Sequence, residues 1–211
     1  MLCATNKRIY DFKLFMNDIR YIAMRVFAII DAYKSARIPW PFAEKIMLAT
    51  TAVNECTYCA RLHTQLASLN GVSSNEIAQL LSSEIAKPVE DYEYRALCFA
   101  QHYTETDRKP AAAELSNLVE FYGSQKANDI MLYIRIIYIG NLMGNTFDAL
   151  LSRLRGKPHQ QSNLFFEAFL FLVVFPLIVF VAAPTVLILI LLSIMLPFLR
   201  QLAPKSNLPA T

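Results

Sequence analysis

The run AFLFLVVFPLIVFVAAPTVLILILLSIMLPFL, residues 168–199, constrains this chain more than any other stretch, because its 32 residues carry no charged side chain. Glu167 and Arg200 bracket it. A water-soluble bundle has no room for that much apolar chain, whereas a bilayer accepts it as long as the backbone stays helical. The run explains most of a composition that is 55% hydrophobic with a mean hydropathy of +0.33. As one straight helix it would measure about 48 Å against a hydrocarbon core of about 30 Å. Pro184, near its middle, therefore favours a hairpin of two short arms over a single tilted or Pro176-kinked span. Arg153, Arg155 and Lys157 precede the run and Arg200 and Lys205 follow it, as expected when both ends are cytoplasmic. The sequence thus predicts a helical domain over 1–155 on the cytoplasmic side of a membrane, a linker over 156–163, a hydrophobic membrane segment over 164–200 and a polar tail over 201–211.

Upstream of that run the apolar residues recur with a helical period and nothing alternates with period two. Ile9, Phe12, Phe15, Ile19, Ile22 and Val26 mark one long amphipathic helix over about 8–34, ended by Pro39 and Pro41. Its Phe12, Phe15 and Phe27 are expected to be buried in the bundle or an oligomer interface, or to lie against the bilayer. A second helix starts near Phe42, and Asn54 reads as an N-cap that restarts it with Glu55 in the first turn. SSNE at Ser73–Glu76 is a capping box opening a short helix to about Leu81. Three further helices are predicted from about Val89 to Thr104, from Ala111 to Tyr122 ending at Gly123, and from Gln125 to Leu154. The expected fold class is an all-α bundle.

The formal net charge of +3 is small, which argues against a nucleic-acid partner. Four cysteines, Cys3, Cys56, Cys59 and Cys98, are too few for a secreted disulfide framework, and the charged N-terminal stretch is not a signal peptide. Cys98 reads as a core residue and Cys3 as a mobile terminal thiol.

NECTYCARLH, residues 54–63, carries the chemistry. Cys56, Cys59 and His63 stand at i, i+3 and i+7, so two thiols and an imidazole share one helix stripe. Near a helix N-terminus, exposed N–H groups favour a thiolate, and His63 lies one turn beyond Cys59, within reach of its proton. A first-turn Cys56 should be the sulfur more accessible to another protein's disulfide. The same spacing also fits a fragment of a zinc site, for which Cys98, His102, His159 and the carboxylates are the other candidate ligands, and a purely structural pair of cysteines.

The segment EKIMLATTAVNECTYCARLHTQLASLNGVSSNEIAQLL resembles the signature of the alkyl hydroperoxidase D-like branch of the carboxymuconolactone decarboxylase family. Glu44 falls on the family's glutamate, Cys56 and Cys59 on its cysteine pair and His63 on its histidine. NDIMLYIRIIYIGNLMGNTFDALLSRL is similar to the closing helix, with Asn141 at a commonly polar position, so the resemblance covers about 10–155. It implies an alkyl hydroperoxidase D-like helical bundle that assembles as a trimer or hexamer, and a thiol peroxidase or disulfide reductase without a cofactor. It further implies Cys59 as attacking thiolate, Cys56 as resolving partner, His63 as base and Glu44 as its relay. A dithiol reductant, protein-bound lipoyl or thioredoxin-like, would return the pair to its reduced form. Some peroxidase members carry a histidine between the two cysteines, where this chain has Tyr58, a poor base at neutral pH. The sequence therefore points to a membrane-anchored, thiol-dependent antioxidant enzyme, with a membrane-bound adaptor that keeps only the fold as the alternative.

Overall fold

The computed structural model describes residues 7–82 and 91–177, and beyond them residues 179, 180, 184, 191 and 195. The chain divides into two compact units, 1–163 and 164–211.

In the first unit every described element is helical, as the period of its apolar residues requires. Helix α1 is Phe12–Ser35, capped by Asp11, whose carboxylate accepts the Leu14 N–H at 2.7 Å. It ends ahead of Pro39 and Pro41, as the sequence predicts, and the same prolines open α2, Trp40–Asn54, where a proline in the first turn forfeits no helical hydrogen bond. Helices α3 (Thr57–Leu69), α4 (Ser74–Leu81), α5 (Asp91–Glu105) and α6 (Ala112–Leu154) follow. The capping box at Ser73 forms as expected, its hydroxyl accepting the Glu76 N–H. Gly123, at φ 76°, breaks α6 where the sequence placed the end of one helix and the start of the next. The expected start of α5 at Val89 lies outside the described residues.

Helix α2 is the axis of the unit and packs against α3, α4, α5 and α6. Phe42, Ala43, Glu44, Ile46, Met47, Leu48, Ala49, Thr50 and Thr51 are all buried, so α2 has no solvent face, the signature of a core helix. Leu97 of α5 and Ile130 and Ile134 of α6 complete the core around it. Phe15 is buried with this unit, whereas Phe12 and Phe27 are exposed, so the three phenylalanines of α1 do not share one fate. Cys98 is half-buried and not a core residue: its helix is covered by α2 on one side, and the thiol lies on a cleft bordered by α5 and α6.

A buried ion cluster ties α1 to the far side of the bundle. Asp18 accepts hydrogen bonds from Tyr10 Oη (2.8 Å), from Arg108 Nη1 (2.8 Å) and from Arg135 Nη2 (3.2 Å). Burial, with the adjacent Asp18 charge, pushes the Tyr10 phenol far above its usual range. It therefore stays a donor.

In the second unit α7 is Leu164–Phe169, followed by a π-helical turn Leu170–Val174 and a short α-helical segment Phe175–Leu177. Among the described residues no helix is long and apolar enough to cross a membrane. Most of the uncharged run beyond residue 177, where the hairpin is expected, lies outside the described residues.

Candidate active site at the start of α3

The site forms where α2 turns into α3. Asn54 is the last residue of α2, Glu55 takes the left-handed conformation (φ 54°), and Cys56 is the N-cap of α3. This corrects the expectation that Asn54 caps α3 with Glu55 and Cys56 in its first turn. The reason is a long-range contact. Asn145 of α6 donates from Nδ2 to the Asn54 carbonyl (2.8 Å) and to the Arg8 carbonyl (3.1 Å), which holds the end of α2 in place, while Arg8 donates to Asn54 Oδ1 (3.1 Å). The Asn54 side chain is thereby engaged elsewhere, and the Cys56 sulfur serves as the cap by accepting the Cys59 N–H at 3.3 Å.

The two sulfurs lie 2.6 Å apart. The Cys59 thiol and the N–H groups of Cys59 and Tyr58 converge on Cys56 Sγ, with Lys7 adding a favourable charge, and together they outweigh burial and lower the Cys56 thiol from 9.0 to about 7. Cys59 moves the other way, pushed up by its hydrogen bond to the Cys56 sulfur and by burial. The two thiols titrate as a pair, with Cys56 the sulfur that favours losing its proton first.

Access is arranged oppositely. Cys56 is 0% exposed, whereas Cys59 is half-buried. This overturns the expectation that Cys56 is the sulfur open to another protein. The cover is Gly144 of α6: a Cβ at that position would stand 2.6 Å from Cys56 Sγ, 3.6 Å from Tyr58 Cδ2 and 3.7 Å from Cys59 Sγ. Only a residue without a side chain lets α6 pass this close. The sequence reading missed Gly144. Its signal was two glycines, Gly140 and Gly144, in the interior of a long helix, where each disfavours the helix by about 1 kcal/mol and so calls for a packing reason.

Glu44 and His63 form the second half of the site. Nδ1 of His63 is 2.7 Å from Glu44 Oε2, and the carboxylate, in the second turn of α2, is buried. The contact fixes the ring and leaves Nε2 as the nitrogen that can face solvent or substrate. No hydrogen bond joins His63 to either sulfur among the described residues. The structure thus brings the expected residues together as two pairs, Cys56 with Cys59 and Glu44 with His63, with one turn of α3 between Cys59 and His63.

Asn141, three residues before Gly144, is buried and accepts the Thr51 hydroxyl at 3.1 Å, while its Nδ2 has no hydrogen-bond partner among the described residues. Tyr58 packs its ring against Phe147, with centroids 5.7 Å apart. Cys98 and His102, considered as zinc ligands, line the cleft bordered by α5 and α6 with Tyr94, Arg95 and Glu114. Among the described residues no three His, Cys, Asp or Glu side chains converge as metal ligands would.

Residues 24–86 match the model of the Carboxymuconolactone decarboxylase family. That stretch runs from within α1 past the end of α4 and holds Glu44, Cys56, Cys59 and His63. The chain matches no curated protein and no solved structure. The family includes decarboxylases and alkyl hydroperoxidase-like proteins, so at that level the match is compatible with an enzyme of peroxidase-like or related function.

Proposed function

We propose that the chain is a thiol-dependent oxidoreductase that reduces peroxides or disulfides through Cys56 and Cys59. The observation that carries this reading is the pair of sulfurs 2.6 Å apart at the N-terminus of α3, with Cys59 the less buried of the two. In the resting pair Cys56 holds the charge and Cys59 the proton. Transfer of that proton across the hydrogen bond leaves a Cys59 thiolate, which attacks a peroxide oxygen. The S–O bond forms as the O–O bond breaks, and the leaving alkoxide takes a proton from the His63 imidazolium, whose positive charge Glu44 supports. Cys56 attacks the Cys59 sulfenic acid; the S–S bond forms, and the proton that Cys56 took from Cys59 leaves with the hydroxide as water. Two electrons pass from sulfur to oxygen, and one proton from solvent restores the His63 imidazolium. A disulfide substrate reacts by the same attack at sulfur in place of oxygen.

A dithiol reductant then attacks the accessible sulfur, Cys59, and expels Cys56, the better leaving group because its thiolate is the more stable. On this reading both oxidant and reductant meet Cys59. Attachment to a membrane, proposed on the 32 uncharged residues at 168–199, would hold the site near lipid hydroperoxides or a membrane-bound dithiol.

The test is a pair of single-cysteine variants exposed to peroxide and trapped with dimedone. Cys56→Ser should accumulate sulfenic acid on Cys59, and Cys59→Ser should leave Cys56 unlabelled. Labelling at Cys56, or at neither sulfur, would overturn the assignment. Carbonate extraction of the full chain tests attachment: recovery in the soluble fraction would remove it.

A further inference from the structure

We propose that the exposed face of α1 docks on an anionic lipid surface, a contact separate from both the thiol site and the uncharged run at 168–199. Met16, Ile19, Ala23 and Phe27 follow one another at spacings of three and four and are all exposed, so they form a single apolar stripe along the helix. Phe27 is 84% exposed and Met24, beside the stripe, 66%. The opposite face, with Phe15, Asp18 and Ala32, is the one turned into the bundle. The stripe is therefore surplus to the fold of this unit, and at about 1.5 Å per residue it runs about 17 Å along the helix from Met16 to Phe27.

Charge decides what covers it. Two acidic side chains lie within α1: Asp18 is buried and held by Arg108 and Arg135, and Asp31, exposed and in line with the stripe, is paired with Arg37 at 2.7 Å. The cations that α1 shows to solvent beside the stripe are Lys13, Arg20 and Lys34. Anionic headgroups complement them. A helix with an apolar stripe flanked by Lys and Arg lies in the headgroup plane with its apolar side chains buried about 5–10 Å.

The test uses the full chain with a tryptophan reporter on the stripe, Phe27→Trp in a Trp40→Phe background, and vesicles with brominated acyl chains. Met24→Trp is the reporter should the first not fold. With 30% phosphatidylglycerol in phosphatidylcholine at low salt, the indole should be quenched. Lys13→Gln with Arg20→Gln should weaken the protein concentration dependence of that quenching about 30-fold, at about fivefold per cation, and pure phosphatidylcholine should weaken it at least as much. Because position 27 reports on α1 alone, attachment through another segment does not mimic the signal. An unquenched indole on vesicle-bound protein, or quenching indifferent to headgroup charge, would overturn the proposal. So would an indole already shielded from iodide without lipid in a protein of dimeric or larger mass, which would assign the stripe to a second copy.

Discussion

Replacing Gly144 by alanine should separate stability from redox chemistry. The added Cβ would stand 2.6 Å from Cys56 Sγ, about 1 Å inside the ordinary contact distance of about 3.5–4.0 Å. Overpacking of this kind costs about 1–3 kcal/mol, while the gain of alanine over glycine inside a helix returns about 1 kcal/mol. The net loss of about 0–2 kcal/mol should lower Tm by no more than about 8 °C. The sulfur has less freedom. Moving Cys56 Sγ away removes both the Cys59 thiol at 2.6 Å and the Cys59 N–H at 3.3 Å, the contacts that hold its thiol near 7. A return toward 9.0 reduces the thiolate at pH 7 from about half of the molecules to about one in a hundred. The assay is the pH dependence of thiolate absorbance and of alkylation by iodoacetamide, beside thermal unfolding of the same variant. Gly140→Ala is the control, since its new Cβ meets only Ile137 Cδ1 at 4.0 Å and should add stability without touching the thiols. A Gly144→Ala protein with the parent's thiolate titration, or a Gly140→Ala protein with the same loss, would refute the reasoning.

Three further outcomes follow from the same geometry. Cys56, lowered to about 7, contributes stability that is complete above 9.0 and is lost as pH falls through 7; Cys59, raised, contributes stability that is complete below 9.0 and is lost as pH rises beyond it. Denaturant unfolding of the reduced protein should therefore show stability rising from pH 7 to 9 and falling above, and a flat profile would contradict the paired titration. Glu44→Gln should slow Cys59 oxidation by about 10²- to 10⁴-fold in stopped-flow measurements, and His63→Ala should do the same while also costing about 1–3 kcal/mol by leaving the buried Glu44 carboxylate without its 2.7 Å partner. Asp18→Ala should cost about 3–5 kcal/mol in equilibrium unfolding because Arg108 and Arg135 lose their common counter-charge.

What could be read from the sequence was local. The Ser73 capping box needs only Glu76 three residues on, and the α6 break needs only Gly123, so both were legible. The reading went wrong where a distant residue intervened. Asn54 has the chemistry of an N-cap, yet Asn145, 91 positions away, fixes the end of α2 and leaves the capping to a sulfur. Cys56 lost its expected exposure to Gly144, and nothing in NECTYCARLH encodes that neighbour. Glu44 was joined to His63 only by the family resemblance, and their 2.7 Å contact depends on the left-handed turn at Glu55 between the two helices. On α1 the helical period showed an apolar side without showing that Phe15 turns inward and Phe27 outward.

The account stands or falls on whether the two sulfurs of α3 are a redox couple. The most direct measurement is differential alkylation of the full-length chain, before and after one equivalent of peroxide, read by mass spectrometry of the peptide that holds both cysteines. The account predicts that oxidation removes two hydrogens from that peptide, protects both sulfurs from alkylation within one chain, and is reversed by dithiothreitol. Two alkylatable thiols after oxidant has been consumed, or a disulfide that joins separate chains, would contradict it.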